Sequence, residues 1–218
     1  MYDSSGTPGW TYYASGPGDM TDMAYSLDLD SSGNIYVAGS IRLSATNRDI
    51  YTTKLDSSGV EQWTAQTYNG PGDGNDRTYL VKVDGNGDVF VVGLSQGVSS
   101  DDFVLIKYDS DGNELWVRRY DGADGLDEVN IYLELDSTGN AYVTGTSRTN
   151  STANDIVTLK NNTDGNLVWE MIYNNPRNQT DNAHGLLLDS SGNIYVIGST
   201  DNGTREFDYV LIKYIEEY

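Results

Sequence analysis

The chain has 218 residues, 37% of them hydrophobic, with 24 glycines, 4 prolines, 17 tyrosines and no cysteine. Without cysteine there is no disulfide, thiol nucleophile or thiolate metal site, and no apolar run approaches the roughly 18 residues of a membrane-spanning helix. The formal net charge of −20, from 33 acids against 13 bases, repels phosphate backbones and anionic lipid, so neither nucleic acid nor membrane insertion is expected.

Met1-Tyr2-Asp3-Ser4 carries no basic n-region and no apolar h-region, so no signal peptide is expected at this end. The stretch "YDSSGTPGW" (Tyr2–Trp10) reads as a turn leading into a lone strand. Next come "YSLDLD", "SSGN" and "IYVAG" (25–39), two apolar stretches joined by a tight turn. A second hairpin follows in "DIYTTKL", "DSSG" and "VEQWTAQTY" (49–68). Asp-x-x-Gly suits a type I turn closed by a left-handed glycine, with Asp capping the turn.

This order then repeats. "LDSSGNIYVAGS" (Leu29–Ser40) returns as "VDGNGDVFVVG" (Val83–Gly93), "LDSTGNAYVTG" (Leu135–Gly145) and "LDSSGNIYVIGS" (Leu188–Ser199). The second phrase, Asp49–Trp63, returns at Asp102–Trp116 and Asp155–Trp169. Trp10, Trp63, Trp116 and Trp169 are each 53 residues apart, as are Lys54, Lys107, Lys160 and Lys213. Each unit reads as four strands. The second and third are apolar on both faces and so need a sheet covered on both sides, while the fourth is wetter and outermost.

Four small antiparallel sheets, each sandwiched by its neighbours, describe an all-β propeller of four blades of about 53 residues, one domain over 1–218. A β-solenoid is the weaker alternative, since its period is usually shorter and does not call for two hairpins per unit. The last segment, "FDYVLIKYIEEY", reads as the third strand of a blade, so the opening strand is expected to supply the fourth and remove two bare edges. The favoured closure is a four-bladed monomer. The alternative is a strand-exchanged homodimer forming an eight-bladed ring.

The two phrases together resemble the bacterial and archaeal β-propeller repeat known as SBBP, with Asn161-Asn162 a departure in the third unit. The resemblance implies an extracellular or cell-surface protein, often one module of a longer chain. It implies no catalytic residues.

Long loops are expected at one end of the disc (Ser40–Arg48, Leu94–Asp101, Thr146–Asn154, Ser199–Phe207, and three inter-blade loops), opposite the short turns. Arg42, Arg48, Arg77, Arg148, Arg177 and Arg205 fall there, six of the eight arginines, and could recognise carboxylates on a protein or an acidic glycan. Their competing role is to neutralise loop aspartates. Asp22, Asp76, Glu128 and Asp181 each precede an innermost strand; they either ring the channel mouth as a Ca²⁺ site or cap their own inter-blade turns. The Asp109–Glu114 and Asp84–Asp88 stretches look like pieces of calcium loops but sit in hairpin turns. The lysine column suits an ion pair within each blade. His184 and four Asn-x-Ser/Thr sites carry little weight.

The function expected from these signals is a non-enzymatic binding or scaffold module working through the long-loop face, with no cofactor required. A lectin with one sugar site per blade is the first alternative. A glycosidase or lyase at the channel mouth is the second, on fold analogy alone.

Overall fold

A computed structural model describes residues 6, 9–17, 21–43, 47–97, 100–122, 128–149, 153–204 and 206–215. The chain forms strands β1 (Met23–Leu29), β2 (Ile35–Ile41), β3 (Asp49–Leu55) and β4 (Glu61–Thr64), which pair antiparallel in that order. The same meander follows in β5 (Asp76–Val83), β6 (Val89–Gln96), β7 (Asp101–Tyr108) and β8 (Glu114–Tyr120), and again in β9 (Glu128–Leu135), β10 (Ala141–Thr149), β11 (Ala153–Asn161) and β12 (Leu167–Tyr173). A fourth sheet has three strands, β13 (Asp181–Leu188), β14 (Ile194–Asp201) and β15 (Phe207–Tyr214).

The apolar pattern dictates the stacking. β6 is buried from Val89 to Ser95 and β7 from Asp102 to Tyr108, on both faces. One face of this sheet packs Val91, Val104 and Ile106 against Tyr36, Ala38 and Ile50 of the first sheet. The other packs Phe90, Val92, Phe103 and Leu105 against Leu133, Val143 and Leu159 of the third. Tyr142 and Ile156 then meet Ile194 and Val196 of the fourth. Burying one such aromatic or aliphatic side chain is worth about 2 kcal/mol.

Close approach needs glycine where a neighbour's ring lies on the strand. A Cβ on Gly145 would sit 2.3 Å from the Phe103 ring, and one on Gly198 would sit 2.6 Å from Ile156. The inner strands succeed one another in the same way, β1 on β5, β5 on β9 and β9 on β13. Polar bonds tie the blades too. Ser26 Oγ accepts from the Val81 amide at 3.1 Å, and Asp28 Oδ2 accepts from Val83 at 2.8 Å.

Tryptophan clasps the outer ends. The Trp63 indole N–H donates to Ser110 O at 2.9 Å and the Trp116 indole to Thr163 O at 3.1 Å, each reaching the hairpin turn of the next blade. Gly112, at φ +85° in that turn, lies under the Trp63 ring, 2.7 Å from where a Cβ would be. Trp10 does the same on the first blade, donating to Ser57 O at 3.3 Å. The segment carrying Trp10 therefore stands where the outer strand of a preceding blade would stand. It forms no ladder among the described residues.

Four meandering sheets agree with the expected blades. The expected closure is not found among the described residues: β15 has no strand on its outer side, and no contact comparable to β9 on β13 joins β13 back to β1. Tyr2, which shares its repeat column with Tyr214, lies outside the described residues. The long loops also prove shorter than expected in the third blade, because the β10–β11 ladder continues to Arg148↔Asn154 and Thr149↔Ala153.

Gly112→Ala is expected to destabilise the protein by about 1–2 kcal/mol, because alanine meets both the left-handed backbone and the indole. Gly85→Ala has nothing within 4 Å and no left-handed backbone, and is expected to be neutral. Urea midpoints of the two variants check this. Equal midpoints would show that the indole does not need that glycine.

Candidate functional site

The two ends of the sheets differ in how they use their polar groups. At the short-turn end the aspartate that opens a turn is spent locally. Asp30 Oδ1 accepts from Ser32 and Asn34 amides, both at 2.9 Å, and Oδ2 from Asn34 Nδ2 at 2.7 Å. Asp84, Asp109, Asp136 and Asp189 are bound in the same way. The Asn193 side chain, with the Asn193 and Ser191 amides, holds the Asp189 carboxyl down at about 2. The calcium-loop fragments at Asp84 and Asp109 are therefore turn caps.

At the other end lie the starts of β1, β3, β5 and their repeats. Asp22 accepts from Gly16 N at 2.7 Å and Arg42 N at 2.8 Å. Asp76, fully buried, accepts from Gly70 N at 2.7 Å and Gln96 N at 3.1 Å. Asp181, also fully buried, accepts from Asn175 N at 2.8 Å and Asn175 Nδ2 at 2.9 Å. All three cap the inter-blade loop six residues upstream. Among the described residues no three acids or histidines converge into a group that could hold a metal ion; the Glu128 side chain lies outside them.

The arginines spread over the loop end, with Arg42 and Arg48 on either side of the β2–β3 ladder end where Ile41 opposes Asp49. Arg77 lies in β5 opposite Leu94, and Arg148 in β10 opposite Asn154, both exposed and in strands rather than loops. Arg177 is exposed and donates to Asn202 O. Arg42 and Arg48 each bury an Nε with no acceptor. Arg205 lies outside the described residues. None of the five makes an ion pair with another described residue; the ion pairs are Lys82–Glu134, Lys107–Asp88 and Arg119–Asp102.

Arg119 is the residue that sequence reasoning missed. It is the penultimate residue of β8 and donates to Tyr68 Oη at 2.9 Å, to Ser95 and to Asp102, whose other oxygen takes the Ser100 hydroxyl at 2.9 Å. Burial pushes the Asp102 carboxyl up against the opposing pull of Arg119. No repeat marks this residue, since Gln66 and Ile172 hold its column. Asp49 is the second such site. Its Oδ1 is buried without a partner, and burial, with Asp76 and Asp73 nearby, pushes its carboxyl up to about 6.

In the lysine column, Lys107 pairs with Asp88 at 2.8 Å. In every blade the ammonium also sits over a ring: Lys54 on Tyr36, Lys107 on Phe90, Lys160 on Tyr142 and Lys213 on Tyr195, at 5.0–5.4 Å. His184 shares a hydrogen bond with Ser199 Oγ at 2.9 Å.

The concavities do not all follow the loops. Two grooves of about 530 and 600 Å³ lie at the short-turn end, beside Asp84, Asp88 and Lys107 and beside Asp136, Lys160 and Asp189. A cavity of about 380 Å³ opens between the second and third blades, lined by Leu105, Arg118, Tyr120 and Leu167.

Two consequences are measurable. Asp49 binds its proton more tightly in the fold than in the unfolded chain, so stability is expected to rise as pH falls from 7 towards 4.5. Below 4 it is expected to fall as Asp56, Asp109 and Asp189, held low in the fold, take up protons. Asp49→Asn should flatten the rise in urea midpoint between pH 7 and 4.5; an unchanged slope would assign it to other groups. Arg119→Met strands the buried Asp102 carboxylate and is expected to cost about 3 kcal/mol, most of it recovered in Arg119→Met/Asp102→Leu. Equal losses in single and double variants would contradict this.

The family model of the SBBP beta-propeller repeat matches residues 173–203, which run from the end of β12 to the loop after β14. No curated protein matches the chain. Among solved structures, the periplasmic gluconolactonase of Pseudomonas aeruginosa is 12% identical, with a TM-score of 0.48, over 87% of this chain and 56% of that one. The endo-arabinase of Bacteroides thetaiotaomicron is 10% identical, with a TM-score of 0.49, over 88% of this chain and 74% of that one. A protein of unknown function from Dyadobacter fermentans is 10% identical, with a TM-score of 0.48, over 80% and 56%. The chain thus spans little more than half the length of the first of these. At such identities none of their chemistry transfers. What does hold is the repeat, seen in the spacing and the four meanders, and one copy of it, residues 173–203, matches the SBBP beta-propeller repeat model.

Proposed function

We propose that the chain is a non-enzymatic binding or scaffold module of an extracellular or cell-surface protein, and that its long-loop end recognises a carboxylate-bearing ligand, protein or glycan. The observation that carries this reading is a pair of unmatched donors at the loop end of the first blade. Arg42 Nε and Arg48 Nε are buried without an acceptor, on either side of the β2–β3 ladder end where Ile41 opposes Asp49. A buried donor with no acceptor costs about 1–3 kcal/mol, which a ligand oxygen presented to it would offset. Exposed Arg77, Arg148 and Arg177 add positive charge at the same end of an otherwise acidic chain.

A lectin with four equivalent sites fits less well, because the loop-end networks differ between blades. The Arg119–Asp102–Ser95 cluster occurs in the second alone. The caps on Asp22, Asp76 and Asp181 engage the carboxylates that a channel-mouth cation or hydrolytic site would use.

Uronate- and sialate-bearing glycans and polyglutamate, titrated calorimetrically, test the proposal. Binding is expected at one site per chain, weakened at least tenfold in Arg42→Gln/Arg48→Gln and strongly by added salt. Four equivalent sites would favour the lectin. No binding to any of these probes, or binding indifferent to both arginines, would overturn the reading.

A further inference from the structure

The two end blades each present an apolar face whose counterparts in the other blades are covered. On the last blade, Ile197 is 50% exposed, Tyr209 92% and Leu211 60%. The same column positions earlier in the chain are closed. Ile50, Phe103 and Ile156, which precede Tyr209 in register, are 0–2% exposed, and Thr52, Leu105 and Thr158, which precede Leu211, are 0–5%. On the first blade, Leu27 is 64% exposed, whereas its counterparts Val81 and Leu133 are each 1%. A soluble chain seldom leaves two such faces bare.

The faces are complementary in shape. Phe103 seats on Gly145 and Ile156 on Gly198, each reaching onto the second strand of the following blade. The corresponding glycine of the first blade is Gly39. It lines a cavity of about 350 Å³ with Val37, Tyr51, Tyr12 and Trp10. Tyr209 is thus a knob whose repeat partner is a hole at the opposite end of the same arc.

The strand edges match as well. Lys54 pairs with Trp63, Lys107 with Trp116 and Lys160 with Trp169. By the same 53-residue step, Lys213 on the open edge of β15 requires Trp10. Yet the Trp10 segment lies at the other end of the arc, clasped to the first blade at Ser57.

We propose that two copies of this chain close into an eight-bladed ring with two-fold symmetry. Tyr209 of each copy fills the Gly39 cavity of the other, and each Trp10 segment completes the other's fourth blade. Two four-bladed arcs reach eight blades, within the range propellers use, whereas three would exceed it. One symmetry operation satisfies both faces and both edges, and it forms a closed assembly rather than a filament. The contact is apolar between two chains of net charge −20, so salt strengthens it by screening their repulsion.

Thr64 opposes Thr53 and Val117 opposes Ile106, so Thr11 of one copy opposes Ile212 of the other. The chain has no cysteine of its own. Thr11→Cys/Ile212→Cys should oxidise to a disulfide-linked dimer of twice 23.9 kDa on a non-reducing gel. Light scattering of the unmodified chain should give the same doubled mass. Tyr209→Asp/Leu211→Asp, altering side chains exposed in the single chain, should give a folded species of 23.9 kDa with an unchanged far-ultraviolet spectrum. An intramolecular disulfide would establish four-bladed self-closure and overturn the proposal. So would failure to cross-link with a single-chain mass, the result expected if further repeats of a longer chain occupy these faces.

Discussion

Everything in this molecule depends on one constraint: a sheet with apolar side chains on both faces cannot stand alone in water. β6 and β7 meet that constraint fully, with the first blade on one side and the third on the other. The clasp of each tryptophan on the next blade's turn then fixes the spacing. The ring needs a glycine beneath it and a carbonyl beside it, and Gly112 and Ser110, or Gly165 and Thr163, supply both. Ring pairs inside the blade, Tyr36 with Trp63, Phe90 with Trp116 and Tyr142 with Trp169, repeat at 6.1 Å and hold the indole in position.

The repeating polar groups serve the same purpose. Aspartates in the turns satisfy backbone amides of those turns, and Asp22, Asp76 and Asp181 do so for the inter-blade loops. Lysines, one per blade, lie flat over aromatic rings. Lys54 also reaches the Ser110 carbonyl of the following blade at 3.4 Å, and Lys107 reaches Thr163 O at 3.4 Å. Chemistry repeated identically in every blade is thus absorbed by the frame. Under the proposed reading, recognition falls to groups whose surroundings differ from blade to blade: Arg42, Arg48, Asp49 and the Arg119 network.

That division explains how much could be read from the residues alone. Strand order, turn type and the number of repeats within the chain follow from the 53-residue period, because identical spacing forces identical packing. The capping role of Asp22, Asp76 and Asp181 was one of two readings, and each of these carboxylates accepts a backbone amide of the inter-blade loop before it. Arg119 was invisible because nothing in its column repeats, and Asp49 because the same residue type recurs at Asp102 and Asp155 in different company. Closure could not be read either. Matching columns at the two termini show that the edges fit each other, but not whether they belong to one chain or to two.

Hydrogen exchange at two protein concentrations tests the central constraint most directly. Amides of β6 and β7, covered on both faces within the chain, should be protected equally at low and high concentration. Those of β1 and β15 should gain protection as concentration rises, when their bare faces become covered. Protection of β1 and β15 that is as high as that of β6 and β7 at every concentration would contradict the account.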